Sequence, residues 1–253
     1  MAKIKVAAVS YLNTKPFLFG IRHSPLVKEV ELIIDHPSRI AEELIKGNAD
    51  LGLVPVAVIP EIGSAKIISD YCIGCNGAVS SVSIYSEVPI WEVNEIFLDY
   101  QSRTSTELAK ILVRNYWGIQ PIPLTTFPGY EKLIANNRAG LIIGDRALYA
   151  KNKFQYSYDL GEAWKQYTGL PFVFACWIMN KELPSGFINE FNEALQFGID
   201  HISEVAELEA LNFPGLNIYE YFTKNIQFNL DAGKQEALKK FLFFIKEKPG
   251  VTV

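Results

Sequence analysis

Val30-Glu31-Leu32-Ile33-Ile34-Asp35-His36-Pro37-Ser38-Arg39-Ile40-Ala41-Glu42-Glu43-Leu44-Ile45-Lys46-Gly47-Asn48-Ala49-Asp50-Leu51-Gly52-Leu53-Val54-Pro55 decides the fold class. Val30–Ile34 is an apolar run of strand length. Pro37–Lys46 then sets Ile40, Leu44 and Ile45 on one helical face, and Gly47 ends it. Leu51–Val54 is a second apolar run, stopped by Pro55. Upstream, Ile4–Val9 is a further short strand, and Thr14–Phe19 reads as a helix start that tolerates Pro16 in its first turn. Strand–helix–strand–helix–strand at this spacing predicts a parallel sheet and an α/β class.

The rhythm recurs farther along. Ile96–Leu98, a helix over Thr104–Tyr116, Ile122–Thr125, a short helix near Tyr130–Asn136, Gly140–Ile143 and a helix from Asp145 form a second series. Between the two series, residues 65–86 carry β-rich runs broken by Gly74, Asn76 and Gly77, and Ala78–Tyr85 reads as one long strand. Asp159–Trp164 suggests a capped helical turn, and Pro171–Asn180 is a strongly apolar strand. After Pro184 the pattern is helical: Phe187–His201, a stretch around Glu204–Leu211, Leu216–Thr223, and Ala232–Lys246 behind Asp231 as N-cap. No repeat, low-complexity segment or Gly/Ser-rich linker is visible. Two α/β series and a helical tail predict two lobes joined by two chain crossings. Residues 1–86 and 178–253 are expected in one lobe and 87–177 in the other. A ligand is expected in a cleft between them, gripped by helix N-termini.

Composition narrows the function. A chain of 253 residues with 49% hydrophobic and 21% charged residues is that of a globular protein with ample core. A net charge of −4 without a long basic run argues against nucleic-acid binding. The N-terminal run lacks an apolar segment followed by a small-residue cleavage site, and Phe172–Met179 is far too short to span a bilayer. The expected location is the cytoplasm, with no membrane partner. Cys72, Cys75 and Cys176 are too few for a disulfide framework, and Cys72-Ile73-Gly74-Cys75 has no second ligand pair for zinc. His23, His36 and His201 are scattered and lack metal-type partners. No serine-hydrolase elbow, phosphate loop or dinucleotide fingerprint occurs.

Chemistry is expected where strands run into helices, because such turns line the ligand crevice of open α/β sheets. Four are polar: Ser10-Tyr11-Leu12-Asn13-Thr14, Ser80-Ser81-Val82-Ser83, Ser102-Arg103-Thr104-Ser105 and Gly144-Asp145-Arg146. In the third, Ser102, Thr104 and Ser105 are good N-cap types, and Glu107 stands at capping-box distance from Thr104. Backbone N–H groups, hydroxyls and the Arg103 guanidinium would then meet at one spot suited to carboxylate or phosphate. Each turn also has a plainer reading. Asn13, Thr14 or Asp145 could simply cap a helix, Ser80–Ser83 could be a solvent-facing strand, and Arg103 could pair with a surface carboxylate.

Taken in order, these residues resemble the chorismate dehydratases of the futalosine route to menaquinone. The resemblance is carried by Val9-Ser10-Tyr11-Leu12-Asn13-Thr14-Lys15-Pro16, Ala49-Asp50-Leu51-Gly52-Leu53-Val54-Pro55, Ser81-Val82, Leu98-Asp99 with Ser102–Ser105, Gly144-Asp145, and Thr168-Gly169-Leu170-Pro171-Phe172-Val173-Phe174-Ala175. It covers roughly residues 4–180. It implies a two-lobed, periplasmic-binding-protein-like fold of type II, each lobe a mixed sheet flanked by helices. The implied reaction converts chorismate to 3-[(1-carboxyvinyl)oxy]benzoate and water, without metal or organic cofactor. In the implied site Asn13 and Ser81 are catalytic, and Ser10, Tyr11, Thr14, Ser80, Ser102, Arg103, Thr104, Ser105, Gly144 and Asp145 bind substrate. The proton base stays open between Asp145, the less favoured Asp99, and the enolpyruvyl carboxylate of the substrate. A non-enzymatic binding protein for small carboxylates is the alternative.

Overall fold

The computed structural model describes residues 3–184 and 186–247. The expected outer limits at residues 1 and 253 lie outside them. In chain order the first elements are β1 (Ile4–Val9), α1 (Lys15–His23), β2 (Val30–Asp35), α2 (Pro37–Ile45), β3 (Leu51–Pro55) and β4 (Lys66–Cys75). There follow β5 (Val82–Ser86), β6 (Glu95–Phe97), α3 (Arg103–Asn115), β7 (Ile122–Leu124), β8 (Arg138–Ile143), α4 (Asp145–Leu148), β9 (Tyr156–Asp159) and α5 (Leu160–Thr168). The chain continues through β10 (Phe172–Met179), α6 (Phe187–Asp200), α7 (Ile202–Ala210), α8 (Ile218–Glu220), β11 (Gln227–Asn229) and α9 (Ala232–Lys246).

These elements form a mixed α/β fold with two sheets flanked by helices. The first compact unit runs to Gly74 and includes Val173–Asp231. Its six strands lie in the order β11-β4-β10-β3-β1-β2. Both β2 and β3 pair with β1 in parallel, as the βαβ spacing predicts, whereas β10 runs antiparallel to β3. Phe17 packs edge-on against Trp177 and Phe228 at 5.8 and 5.2 Å, and Trp177 meets Phe191 at 4.9 Å. One short repeat escapes a reading of the chain: Phe-Gly-Ile-x-His occurs at Phe19–His23 and again at Phe197–His201. The two copies pack together where α1 meets α6. A Cβ on Gly20 would stand 1.9 Å from the Ala194 carbonyl oxygen, and one on Gly198 would stand 1.9 Å from that of Pro16. Each histidine stacks on the phenylalanine of its own copy at 4.0 Å.

The second unit comprises Cys75–Phe172 and the chain from Ala232 onward. Its sheet has the order β7-β6-β8-β5-β9, with β6 parallel to β7 and β8, and β5 antiparallel to β8 and β9. The chain crosses between units three times, not twice. The third crossing carries α9 into the second unit, although the tail was expected in the first lobe. The cause is aromatic packing: Phe241 lies 5.0 Å from Phe172 and 6.1 Å from Trp164, both nearly perpendicular to it.

The expected long strand over 78–85 begins only at Val82. Ser80 takes a left-handed backbone (φ 64°), which breaks the extended run, so Ser80 and Ser81 belong to a turn. Two short strands, β9 and β11, were not anticipated. Among the described residues no helix is long and apolar enough to cross a membrane.

Candidate active site

Each unit carries polar turns at one edge of its sheet. In the first, the parallel pairing of β1, β2 and β3 brings their C-terminal ends to the same edge. Ser10 and His36 follow β1 and β2 there, and the Ser10 N–H donates to the Asp35 carbonyl at 3.0 Å. Leu12–Thr14 is a single 3-10 turn leading into α1. Neither Asn13 nor Thr14 caps α1 through its side chain, contrary to the plainer reading. Instead the buried Thr14 hydroxyl donates to the Asn13 side-chain oxygen at 3.2 Å. That bond engages the Asn13 amide oxygen and so orients the amide. Tyr11 is half-buried, and its ring tilts toward His36 at 6.5 Å.

In the second unit, β6 and β8 run parallel and β5 runs antiparallel to β8. The start of β5 therefore shares an edge with the ends of β6 and β8. The Gly144 N–H donates to the Ser81 carbonyl at 2.8 Å, which fixes these two turns side by side. Gly144 adopts φ 62°, ψ −147°, a conformation essentially reserved for glycine, and so turns the chain from β8 into α4. Gly144, not Asp145, is the N-cap of α4, and Asp145 is its half-buried first residue. The Ser81 side chain is buried, with its Oγ 3.5 Å from the Val79 carbonyl.

Ser102 caps α3, its Oγ accepting the Ser105 N–H at 3.1 Å and donating to the Ser105 Oγ at 3.0 Å. The expected capping box with Glu107 is not made, because the cap is Ser102 rather than Thr104 and Glu107 pairs with Lys110 at 2.7 Å. Ser102, Thr104 and Ser105 are buried, and Arg103 is the exposed member of the turn.

Beneath this turn lies a charged network that sequence reasoning missed. The Asp99 carboxylate accepts the Gln101 N–H at 2.8 Å, the Tyr130 hydroxyl at 2.8 Å and the Arg146 guanidinium at 2.5 Å. Arg146 also donates to Gln101 Oε1 at 2.9 Å and pairs with Glu131. The Thr106 hydroxyl donates to the Asp99 carbonyl at 3.2 Å, so the network braces both ends of the turn. Burial raises the Asp99 carboxyl above its ordinary range, opposed by Arg146, the Gln101 N–H and Tyr130. Burial also raises the Tyr130 hydroxyl, and the Asp99 charge adds to that shift. With its oxygens engaged by three donors, Asp99 anchors the turn. The acidic strand end Leu98-Asp99 was legible, but partners drawn from residues 130 and 146 were not. Among the described residues, no three His, Cys, Asp or Glu side chains converge as metal ligands would.

Comparison with known proteins bears on the fold and the family. The chain is 27% identical to the chorismate dehydratase of Thermus thermophilus, over 91% of each chain. Protein AF1704 from Archaeoglobus fulgidus superposes with a TM-score of 0.75 at 16% identity, covering 96% of this chain and 97% of that one. The Candida albicans CA3427 gene product, described as having the generic periplasmic binding protein fold, superposes with a TM-score of 0.63 at 14% identity, covering 97% and 90%. The fold is thus periplasmic-binding-protein-like. The profile of the menaquinone biosynthesis family matches residues 4–247, nearly the whole length, and the chain belongs to that family.

Proposed function

We propose that this protein is a chorismate dehydratase, a carbon–oxygen lyase that converts chorismate to 3-[(1-carboxyvinyl)oxy]benzoate and water in menaquinone biosynthesis. The observation that carries the reading is the match to the Thermus enzyme over 91% of both chains, joined to membership of the menaquinone family. The reaction is an elimination that makes an aromatic ring. The ring proton lost is vinylogous to the ring carboxylate, so its removal pushes negative charge into that carboxylate. Preorganised donors aimed there lower the barrier.

In this reading the start of α3 and the Arg103 guanidinium hold the ring carboxylate, supported by the α3 dipole. Asn13 and Ser81 orient the enolpyruvyl carboxylate, which takes the proton itself, since Asn and Ser are poor bases at neutral pH. Three observations support these roles: the fixed Asn13 amide, the exposed Arg103 at a capped helix start, and the commitment of Asp99 to other partners. Ser10, Tyr11, Thr14, Ser80, Ser102, Thr104, Ser105, Gly144 and Asp145 complete the proposed substrate set. A cytoplasmic location belongs to the same proposal.

The test is to incubate purified protein with chorismate and to look for the enolpyruvyl benzoate by mass, with Asn13→Ala and Ser81→Ala as variants. Product from the wild type and a sharp loss of turnover in both variants are expected. Near-wild-type rates in both would remove the assigned roles. The fold shared with binding proteins favours one second reading, a non-enzymatic receptor for a small carboxylate. Binding of a small anion without product formation would select it.

A further inference from the structure

Ser80 is a serine held at φ 64°, a backbone region that costs a non-glycine residue and persists only where its surroundings enforce it. The enforcing group is Asp159. Its carboxylate accepts four backbone N–H groups from two segments of the second unit. Oδ2 takes the Ser80 N–H at 2.7 Å, and Oδ1 takes those of Val79 at 3.1 Å, Gly161 at 2.9 Å and Glu162 at 3.1 Å. One oxygen therefore serves the turn before β5 alone. The other is shared between that turn and the start of α5.

The surroundings make this corner stiff. A Cβ on Gly161 would lie 2.6 Å from the Cys75 sulfur and 2.6 Å from the Gly77 carbonyl, so the first turn of α5 packs directly on the 75–80 segment. Asp159 is half-buried, and desolvation raises its carboxyl above the ordinary range while the four N–H groups oppose the shift. A helix cap needs only one oxygen. A carboxylate whose second oxygen instead reaches a strained residue next to Ser81 is built to set that turn.

We infer that Asp159 is a positioning residue of the dehydration: it locks the Ser80 backbone and so aims Ser81 at the substrate carboxylate. This rests on the reading of Ser81 as a substrate-facing group.

Asparagine separates this role from that of a cap. Asn caps helices as well as Asp does, but it has a single acceptor oxygen, and its N–H₂ end would confront the Ser80 N–H. Asp159→Asn should keep α5 and a melting temperature near that of wild type. It should lower kcat about 10- to 100-fold, the range expected when a reacting group is misplaced by about an ångström, with KM changed by less than about threefold. Because Asp159 acts through Ser81, the Asp159→Asn/Ser81→Ala double variant should be no slower than Ser81→Ala alone. If Asp159→Asn does not fold, Asp159→Ser, another strong cap with one oxygen, carries the same test. Product from wild type with an unchanged kcat in a folded Asp159 variant overturns the role of Asp159 alone. So do losses that multiply in the double variant. Absence of product from the wild type overturns the dehydratase reading, and the assignment falls with it.

Discussion

Asp99 sits two residues past β6 with no exposed side-chain surface, and its carboxylate is met by a guanidinium, a phenol and a backbone N–H. Desolvation and these donors act in opposite directions on its proton, and desolvation prevails. The folded-state pKa thus lies above the unfolded value, and linkage fixes the sign. The contribution of Asp99 to stability is fully present below the ordinary carboxylate value and is lost as pH rises through the raised one. Asp99→Asn lacks that titration. The stability of wild type minus that of Asp99→Asn should therefore fall as pH rises above the ordinary aspartate value of about 4. Denaturant unfolding at several pH values checks this, and a flat or rising difference contradicts it. An acidic residue at a strand end was legible in the sequence. Its role was not, because Tyr130 and Arg146 stand 31 and 47 residues away and nothing local announces them. Asp159 is the same case, since its link to Val79 and Ser80 spans 80 and 79 residues.

Elements were legible where their pattern is local. The apolar face of α2, the runs of β1, β2, β3 and β10, and the polar turn before α3 all follow from period and cap chemistry. The strand expected over 78–85 failed because β-rich composition does not reveal a residue held at positive φ by a distant carboxylate. The crossing of α1 and α6 was hidden for a related reason. Gly20 and Gly198 lie inside helices, where glycine ordinarily weakens the element by about 1 kcal/mol relative to alanine. Here the missing Cβ is what lets the backbones touch. Gly198→Ala should therefore reverse the usual sign. Its Cβ would sit 1.9 Å from the Pro16 carbonyl oxygen, which no rotamer change relieves. The expected loss is about 1–3 kcal/mol or more, as for other overpacked interiors. A stabilising Gly198→Ala, measured by thermal or denaturant unfolding, would show that the two helices are not in such contact. Pro16 stands in the first turn of α1, two residues after Thr14, so the same variant should also lower turnover by moving that turn.

At the scale of the molecule, the order of elements along the chain predicts two α/β bodies but not which of them owns the last helix. An amphipathic pattern says that α9 packs on something and leaves its partner unnamed. The partner is the aromatic face of Trp164 and Phe172, which Phe241 covers. Ala237, Leu238, Phe241 and Lys234 are buried on the same side of α9. Burying one large apolar side chain contributes about 1.5–3 kcal/mol, and a domain as a whole is stable by about 5–15 kcal/mol. Removing α9 should thus consume much of the stability of the second unit. A fragment of residues 75–172 should lack a cooperative unfolding transition and bind a hydrophobic dye. The same fragment joined through a Gly/Ser linker to residues 232–247 should unfold cooperatively, with dispersed amide resonances. The linker adds little cost, because loop-closure entropy grows only slowly with length. If residues 75–172 alone match the joined fragment in midpoint and cooperativity, α9 is dispensable to the unit. The contacts of Phe241 would then be incidental to its fold.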